Sequence, residues 1–259
     1  MIKISGVIIA FNEERNIARC IDSMKGVTDE ILVVDSFSTD RTAKICAEKG
    51  VRLVKHAFEG HIEQKNYAMS LAGYDHILSL DADEALSEKL KASIVAAKLN
   101  WKHDGYRVNR LTNYCGKWIR HSGWYPDRKL RLWDRRRGCW GGVNPHDRVI
   151  MDETASTGGL SGDLFHYSYY SLQQHIAHVN SFSGIAAKAS YDQGRQSHVV
   201  IDMVCNPFLT FLKKYCLQLG LLDGYYGFLI AVISGFGKFL KYAKLRELHL
   251  KAATTPDEP

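Results

Sequence analysis

The N-terminal part of the chain alternates between short apolar segments and segments whose apolar residues recur at every third or fourth position. The apolar segments cover residues 6–11, 30–35, 51–54 and 77–80. Runs of this length without polar alternation are typical of strands buried on both faces of a parallel sheet. In the segments between these strands, apolar residues recur at the spacing of a helix. Strands that alternate with helices predict an α/β fold, with an open, mostly parallel, Rossmann-like sheet flanked by helices.

Polar side chains follow these predicted strands at their carboxyl ends, where open α/β sheets bind ligands. Asn12 follows the first strand, Asp35 ends the second, and Asp81 and Asp83 follow the fourth. If the fourth strand continued, the two aspartates would point the same way, which is unfavourable unless a cation lies between them or one is protonated. Mg²⁺ or Mn²⁺ holding a substrate phosphate would supply that cation. The alternative is a solvated loop, with Glu84 and Ser87 opening the next helix.

Further along, residues 107–137 hold ten lysines and arginines against two aspartates. In the predicted strand 130–133 and its flanks, Lys129 and Arg131 alternate with leucines, which gives one basic and one apolar face. Arg128 and Arg131 lie among tryptophans and Tyr125. Guanidinium groups bind phosphate or carboxylate and aromatic faces stack on sugars, so an acceptor with sugars and anionic groups fits this segment. The alternative is a solvated edge strand whose aromatic residues belong to the core.

The C-terminal part changes character after a polar linker at residues 192–198. Pro207 opens an amphipathic helix, and a second segment has an uninterrupted apolar run, 225–236, that is too short to span a bilayer. Lysines follow that run at helical intervals. An apolar face with a lysine-rich flank indicates a helix lying on an anionic membrane surface. The alternative is a hairpin packed on the catalytic domain or on a second subunit.

Composition narrows the class further. The 46% hydrophobic and 24% charged residues are ordinary for a globular protein, and the six cysteines are scattered without a C-x-x-C pair, which favours a reducing compartment. We expect no signal peptide, because the N-terminus leads almost directly into a strand. The net charge of +6 is concentrated in the two basic segments, without the spacing of a zinc finger or an RNA-recognition motif. Nucleic acid is therefore not an expected partner.

No glycine-rich dinucleotide fingerprint follows the first strand, and the sequence contains no P-loop, which argues against a dehydrogenase or an NTPase. Four ordered motifs occur instead: V-I-I-A-F-N-E-E, I-L-V-V-D-S-F-S-T-D-R-T, Q-K-N-Y-A and L-S-L-D-A-D-E. Together they resemble the nucleotide-sugar half of family 2 glycosyltransferases, which have the GT-A fold. The resemblance is strongest to bacterial lipopolysaccharide-core enzymes, and continues through G-W-Y-P-D-R-K-L-R-L-W, N-P-H-D-R-V and D-G-Y-Y-G-F.

The resemblance implies roles for individual residues on the donor side. Asp83 would ligate Mg²⁺ or Mn²⁺, and His166 would complete the metal shell, with a partly buried hydrogen-bonded histidine as the alternative. Asp81 would contact ribose or a metal-bound water, and Lys65 would lie near the diphosphate unless it is a solvated helix residue. Asp35 would bind the base or ribose unless it only caps a helix. The nucleotide pocket would also include Ala10, Asn12 and Glu14.

On the acceptor side, inverting transfer needs a carboxylate that takes the proton from the attacking hydroxyl. The resemblance places this base at Asp147, with His146 beside it at the substrate. Related enzymes most often have Glu at this position, so the side chain here is one methylene shorter. The alternative is that Asp147 only pairs with Arg148 or Arg128.

These inferences predict a metal-dependent, inverting glycosyltransferase that moves a sugar from a nucleotide-diphosphate sugar to a hydroxyl of a lipopolysaccharide-core or similar glycolipid. Uridine is the expected nucleoside of the donor. It would lie peripherally on the cytoplasmic face of the bacterial inner membrane. The alternatives are transfer to polyprenyl phosphate, a non-catalytic nucleotide-sugar- or glycolipid-binding protein, and a nucleotidyltransferase, although the last lacks its glycine-rich basic loop. The expected organisation is a GT-A catalytic domain (1–198, with donor half 1–100 and acceptor half 101–198), a helical extension (199–251) and a disordered tail (252–259).

Overall fold

A computed structural model describes residues 1–143 and 146–254 of the chain, without the side chains of His146, Ala253 and Thr254. The chain divides into two compact units. The first contains Met1–Leu111 and Pro126–Tyr167, and the second contains Thr112–Tyr125 and the chain from Ser168 onward.

The N-terminal half of the first unit is the predicted alternation of strands and helices. The elements are β1 (Ile4–Ala10), α1 (Ile17–Met24), β2 (Glu30–Asp35), α2 (Thr42–Glu48), β3 (Arg52–Lys55), α3 (His61–Ser70) and β4 (His76–Asp81). The four strands lie in the order β3-β2-β1-β4, and each neighbouring pair is parallel. The sequence placed each of these strands to within two residues at either end.

The strands are continuously apolar because helices cover both faces of this part of the sheet. Along β1, Ile4 and Ile8 pack with Ile17 and Ile21 of α1, whereas Val7 belongs to a second apolar cluster that includes Ala68 of α3. Successive side chains of a strand point to opposite faces, so both sets are buried. Each fully buried aliphatic side chain stabilises the fold by about 1.5–3 kcal/mol relative to an exposed one.

The elements that follow β4 are β5 (Glu84–Leu86), α4 (Glu88–Leu99), β6 (Gly105–Tyr114), β7 (Lys117–Ile119), β8 (Asp127–Asp134), β9 (Gly138–Val143), β10 (His146–Met151) and β11 (Thr157–Tyr169). Here the pairing changes direction, as β4 pairs antiparallel with β8, β8 with β6, and β11 with β5. A separate antiparallel ribbon is formed by β9 and β10. The predicted α/β fold with a flanked sheet is confirmed, and its parallel part is the N-terminal half.

The second unit is mainly helical. Its helices are α5 (Leu172–Asp192), α6 (Asn206–Leu212) and α7 (Gly224–Thr254), with π-helical turns at Val199–Cys205 and Lys213–Leu217 and a 3-10 turn at Gly220–Asp223. Ala187 of α5 packs against Tyr242 and Leu245 of α7. The sequence assigned α5 to the acceptor half, but in the structure it shares a compact unit with the C-terminal helices. The functional division of the chain at residue 198 stays a prediction.

Helix α7 tests two predictions about the C-terminal part of the chain. The predicted apolar run at 225–236 is the first part of a single helix of 31 residues, and the predicted tail is helical as far as Thr254. The rest of that tail, 255–259, lies outside the described residues. Within the described residues, Gly220–Ala252 is the one helical stretch whose length and composition would allow it to cross a membrane.

Candidate active site

The acidic motif at the end of β4 divides between two environments. β4 ends at Asp81, Ala82 and Asp83 form a turn, and Glu84 begins β5. The strand does not continue through the motif, so strand alternation does not bring Asp81 and Asp83 to the same face. Glu84 also does not open the next helix, because Ser87 caps α4 by accepting a hydrogen bond from the backbone N–H of Leu90.

Asp81, whose side chain is partly exposed, lies in a chain of alternating charges whose cations Lys65 and Arg131 are buried. Its Oδ1 is 2.8 Å from Nζ of Lys65, and its Oδ2 is 2.9 Å from Nη2 of Arg131. Lys65 Nζ is also 2.7 Å from Oδ2 of Asp147. Burial alone would raise the pKa of Asp81, but the charges of Lys65 and Arg131 outweigh it and hold the pKa well below its ordinary value. Two side-chain cations thus stabilise the charge of Asp81. The sequence had suggested a metal ion in that role.

The chain of charges continues through Glu84, which is 1% exposed. Its Oε1 is 2.8 Å from Nη2 of Arg131 and 3.4 Å from Nη1 of Arg110, and its Oε2 accepts a hydrogen bond from the backbone N–H of Asp81. Arg110 in turn pairs with Asp127 at 2.7 Å. Sequence reasoning missed the roles of Glu84 and Arg110. A third acidic residue in the motif was the available signal for Glu84, but nothing local marks Arg110.

Three consecutive residues of α3, in the Q-K-N motif, connect separate parts of the first unit. Gln64 donates to Oγ of Ser36 in the loop after β2, at 3.0 Å. Lys65 joins Asp81 to Asp147, and Asn66 exchanges two hydrogen bonds with the backbone of Trp140 in β9. Lys65 is 4% exposed and lies 4.3 Å from the ring centroid of Trp140, which excludes the solvated alternative for this lysine.

Asp147 lies on β10, opposite Gly142 in the ribbon. Its partner is Lys65 rather than Arg148 or Arg128, the two partners that the alternative reading proposed. His146 begins β10, and its side chain lies outside the described part of the chain.

Asp83 and His166 come together outside the charge chain. His166 Nε2 is 3.2 Å from Oδ2 of Asp83, and both side chains are partly exposed. Burial raises the pKa of the nearby Glu13, and the charges of Asp83 and Asp81 add to the rise, which marks a site of concentrated negative charge. In the described residues no three His, Cys, Asp or Glu side chains are grouped to hold a metal. The pair fits an ion that takes one carboxylate oxygen and one imidazole nitrogen from the protein and its other ligands from substrate and water.

The predicted nucleotide-pocket residues line one loop region at the ends of β1 and β2. Ala10 is paired in register with Asp35. Asn12 adopts a left-handed backbone (φ 55°), and its Oδ1 accepts a hydrogen bond from the N–H of Thr39. Glu14 accepts one from the N–H of Arg41. These contacts shape the loops, and nucleotide binding by these side chains stays a prediction.

Asp35 is fully buried, and its carboxylate accepts hydrogen bonds from the backbone N–H and the hydroxyl of Ser38. It therefore caps the turn before α2 rather than α2 itself, which begins at Thr42. Its contact with a base or ribose stays a prediction.

The two predicted acceptor arginines differ in burial. β8 lies between β4 and β6, so it is not the edge strand that the alternative reading proposed. Arg131 is 4% exposed and held by Asp81 and Glu84, whereas Arg128 is exposed. Trp133 is fully buried, so it cannot stack on a sugar.

A cavity of about 420 Å³ opens beside Asp147. Its lining is strongly basic, with one carboxylate and one aromatic ring. The described residues that line it are Arg107, Arg128, Lys129, Leu130, Arg131, Trp140, Asp147, Arg148, Val149 and Ile150.

Comparisons with known proteins agree on the class of the chain. Residues 5–151 match the family model described as glycosyl transferase family 2. An uncharacterised glycosyltransferase of Rickettsia typhi is 32% identical, over 97% of this chain and 89% of that protein. The lipopolysaccharide core biosynthesis glycosyltransferase LpsC of Rhizobium meliloti is 27% identical, over 98% of this chain and 96% of LpsC.

Among solved structures, glucosyl-3-phosphoglycerate synthase of Mycobacterium tuberculosis, crystallised with Mn²⁺, UDP and glucosyl-3-phosphoglycerate, aligns with a TM-score of 0.37 and 26% identity. The alignment covers 43% of this chain and 44% of the synthase. The chain thus spans less than half of that enzyme.

The charge chain predicts that Lys65→Met destabilises the protein. The substitution keeps an apolar stem against Trp140 but leaves Asp81 and Asp147 without their shared cation, and breaking a buried pair costs about 3–5 kcal/mol. The depressed folded-state pKa of Asp81 stabilises the protein above the ordinary aspartate pKa near 4, and that contribution is lost as the pH falls toward the folded-state pKa. The difference in unfolding free energy between the wild type and Lys65→Met should therefore become smaller as the pH falls. Urea unfolding at pH 7 and at pH 3 measures both effects, because the contribution of Asp81 is lost only below about pH 4.

Lys49→Met is the matched control, because Lys49 pairs with Asp22 in a partly exposed salt bridge. Its expected cost is at most about 1 kcal/mol. Equal losses for the two variants at pH 7 would show that Lys65 does not hold the site together.

Proposed function

Because the chain belongs to glycosyl transferase family 2 and is a glycosyltransferase, we propose that it transfers a sugar, with inversion, from a nucleotide-diphosphate sugar to a hydroxyl of a lipopolysaccharide-core-type glycolipid. The observation that carries the proposal is the position of Lys65, which joins Asp81 in the acidic motif to Asp147. One lysine thus connects the motif expected to bind the donor with the carboxylate expected to act on the acceptor.

On the donor side, Asp83 and His166 would hold Mg²⁺ or Mn²⁺. A bound divalent ion would offset the charge that develops on the leaving diphosphate. The support for this assignment is the contact between His166 Nε2 and Asp83 Oδ2, with further carboxylates nearby that increase the attraction for a cation. Uridine is the proposed base of the donor, with the loop around Asn12 and Ser38 as its contacts and the buried Asp35 holding Ser38 in place.

On the acceptor side, Asp147 would take the proton from the attacking hydroxyl. Lys65 fixes Oδ2 of this carboxylate, which leaves Oδ1 to receive the proton. The similarity to LpsC over nearly the whole chain supports a lipopolysaccharide-core acceptor. Polyprenyl phosphate is the second candidate acceptor. Its phosphate is already an anion and would need no base.

The donor assignment predicts that one member of a panel of nucleotide sugars stabilises the protein against heat when Mn²⁺ is present. Ligand at about one hundred times its Kd adds roughly 2.7 kcal/mol to the unfolding free energy. Asp83→Ala should abolish the Mn²⁺-dependent part of this stabilisation. The control Asp152→Ala removes an exposed carboxylate that pairs only loosely with Arg137, at 3.4 Å, and should keep it. Undiminished stabilisation of Asp83→Ala by Mn²⁺ and the sugar nucleotide would refute the metal assignment.

The base assignment predicts that Asp147→Asn lowers kcat by roughly 10²- to 10⁴-fold, because the amide cannot accept the proton. Donor stabilisation by Mn²⁺ and nucleotide sugar should persist, since Asp147 acts on the acceptor. Asp152→Asn serves as the control for turnover, and circular dichroism checks that both variants fold. Turnover like that of the wild type would remove Asp147 as the base and favour an anionic nucleophile such as polyprenyl phosphate.

We also propose that the second unit lies on the anionic cytoplasmic surface of the inner membrane. Its support is a set of exposed apolar side chains in a unit that also carries Lys213, Lys238 and Lys241: Val200, Ile201, Phe208, Leu209, Leu217, Leu222 and Tyr225. A groove of about 330 Å³ in this unit is lined by Leu209, Lys213 and Lys238, among others. Burial and the charges of Lys238 and Arg195 lower the pKa of Lys241, as expected where cations are concentrated. Contact with a second subunit is the alternative.

The membrane proposal predicts saturable binding to vesicles that contain phosphatidylglycerol and weak binding to phosphatidylcholine vesicles. Each lysine near an anionic surface contributes about 1 kcal/mol, so Lys213→Glu with Lys238→Glu should weaken binding more than tenfold. Lys44→Glu with Lys91→Glu, in the first unit, is the control pair, and flotation measures the bound fraction. Equal binding by both double variants, or dimerisation without any vesicle binding, would contradict the proposal.

A further inference from the structure

The basic cavity beside Asp147 contains three arginines from three strands. Arg107 lies on β6, Arg128 on β8 and Arg148 on β10, and all three are exposed. Within residues 1–143 and 146–254, none of the three forms an ion pair with a carboxylate. The other two cations of the lining are already paired: Lys129 with Asp127 at 3.1 Å, and Arg131 with Asp81 and Glu84.

Two further N–H groups of the lining have no hydrogen-bond acceptor in the described part of the protein. They are Nε of Arg131 and Nε1 of Trp140, and both side chains are more than nine-tenths buried. Both nitrogens are shielded from solvent, so the three exposed arginines are the unpaired cations of this lining that a ligand in the cavity can reach.

We infer that this cavity is a subsite for an anionic substituent of the acceptor, a phosphate monoester or a carboxylate, held by Arg107, Arg128 and Arg148. Guanidinium groups bind such oxyanions through paired, charge-assisted hydrogen bonds. Apolar lining from Leu130, Val149 and Ile150 reduces local screening and strengthens the attraction. The inference rests on the proposed function, because it takes Asp147 in the same lining as the base.

The subsite also sets where the sugar is transferred. Asp147 lines the same cavity as the arginines, so the hydroxyl that it deprotonates must lie close to the bound anion. The acceptor is thus a sugar whose reactive hydroxyl neighbours a phosphate or carboxylate. Asp35, Asp83 and His166, the residues assigned to the donor, are not in the described lining, whereas Lys65, expected near the diphosphate, is 2.7 Å from Asp147, so the subsite adjoins the donor site.

Calorimetric titration without donor or turnover tests the subsite directly. Inorganic phosphate, glucose 6-phosphate, glucuronate and glucose are the probes. The wild type should bind at least one anionic probe saturably and glucose not at all, and stronger binding of glucose 6-phosphate or of glucuronate identifies the substituent as phosphate or carboxylate. The triple variant R107Q/R128Q/R148Q should lose at least tenfold in affinity. Arg52→Gln, at the β3 edge, where Arg52 donates to the carbonyl of Leu71, should bind as the wild type does.

Two results would overturn the inference. One is anion binding that the triple variant retains in full. The other is a pair of observations: UDP with Mn²⁺ displaces the anion from the wild type, and the triple variant loses affinity for UDP. Together these would assign the arginines to the donor. Asp147→Asn should bind the anion at least as tightly as the wild type, because it removes a negative charge from the lining. Failure of the base assignment would appear only in turnover, and is thus distinguishable from failure of the subsite.

Discussion

The alternating chain of charges that runs from Asp147 through Lys65, Asp81, Arg131, Glu84 and Arg110 to Asp127 is the interaction on which the site depends. Removing so many ions from water is expensive, and only mutual pairing with good geometry offsets that loss. The chain draws its members from α3, the ends of β4 and β5, and the strands β6, β8 and β10. Each carboxylate is consequently fixed by elements distant in sequence, and no single local segment determines its position.

This arrangement separates two aspartates that the sequence presents as a pair. Asp81 ends β4 and has its charge stabilised by Lys65 and Arg131, whereas Asp83 lies past the strand end and meets His166. The division follows from the point at which β4 stops hydrogen bonding. Had the strand continued by two residues, both side chains would have faced the same buried cations.

Much of the N-terminal half could be predicted from the sequence, because strands buried on both faces leave uninterrupted apolar runs. The fold class, the family and the enzymatic nature of the chain are confirmed. Burial of Arg131 could not be predicted: its alternation with leucines is also typical of a half-exposed strand, and its partners Asp81 and Glu84 are 50 and 47 residues away. Arg107 was not recognised as part of the basic cavity for the same reason, since the β6–β8–β10 arrangement that brings it near Arg128 and Arg148 is not visible locally.

The β9–β10 ribbon is a separate two-stranded sheet, joined to α3 through Asn66 and Lys65. It contributes Arg148, Val149 and Ile150 to the cavity, while the parallel strands contribute none of that lining in the described residues. Under the proposed acceptor subsite, substitutions at Arg148, Val149 and Ile150 would change acceptor choice, whereas Trp140 and Asp147 of the same ribbon contact Lys65 and are constrained by the charge chain. Gene duplicates that differ mainly in this ribbon would be expected to extend different glycans from a common activated sugar.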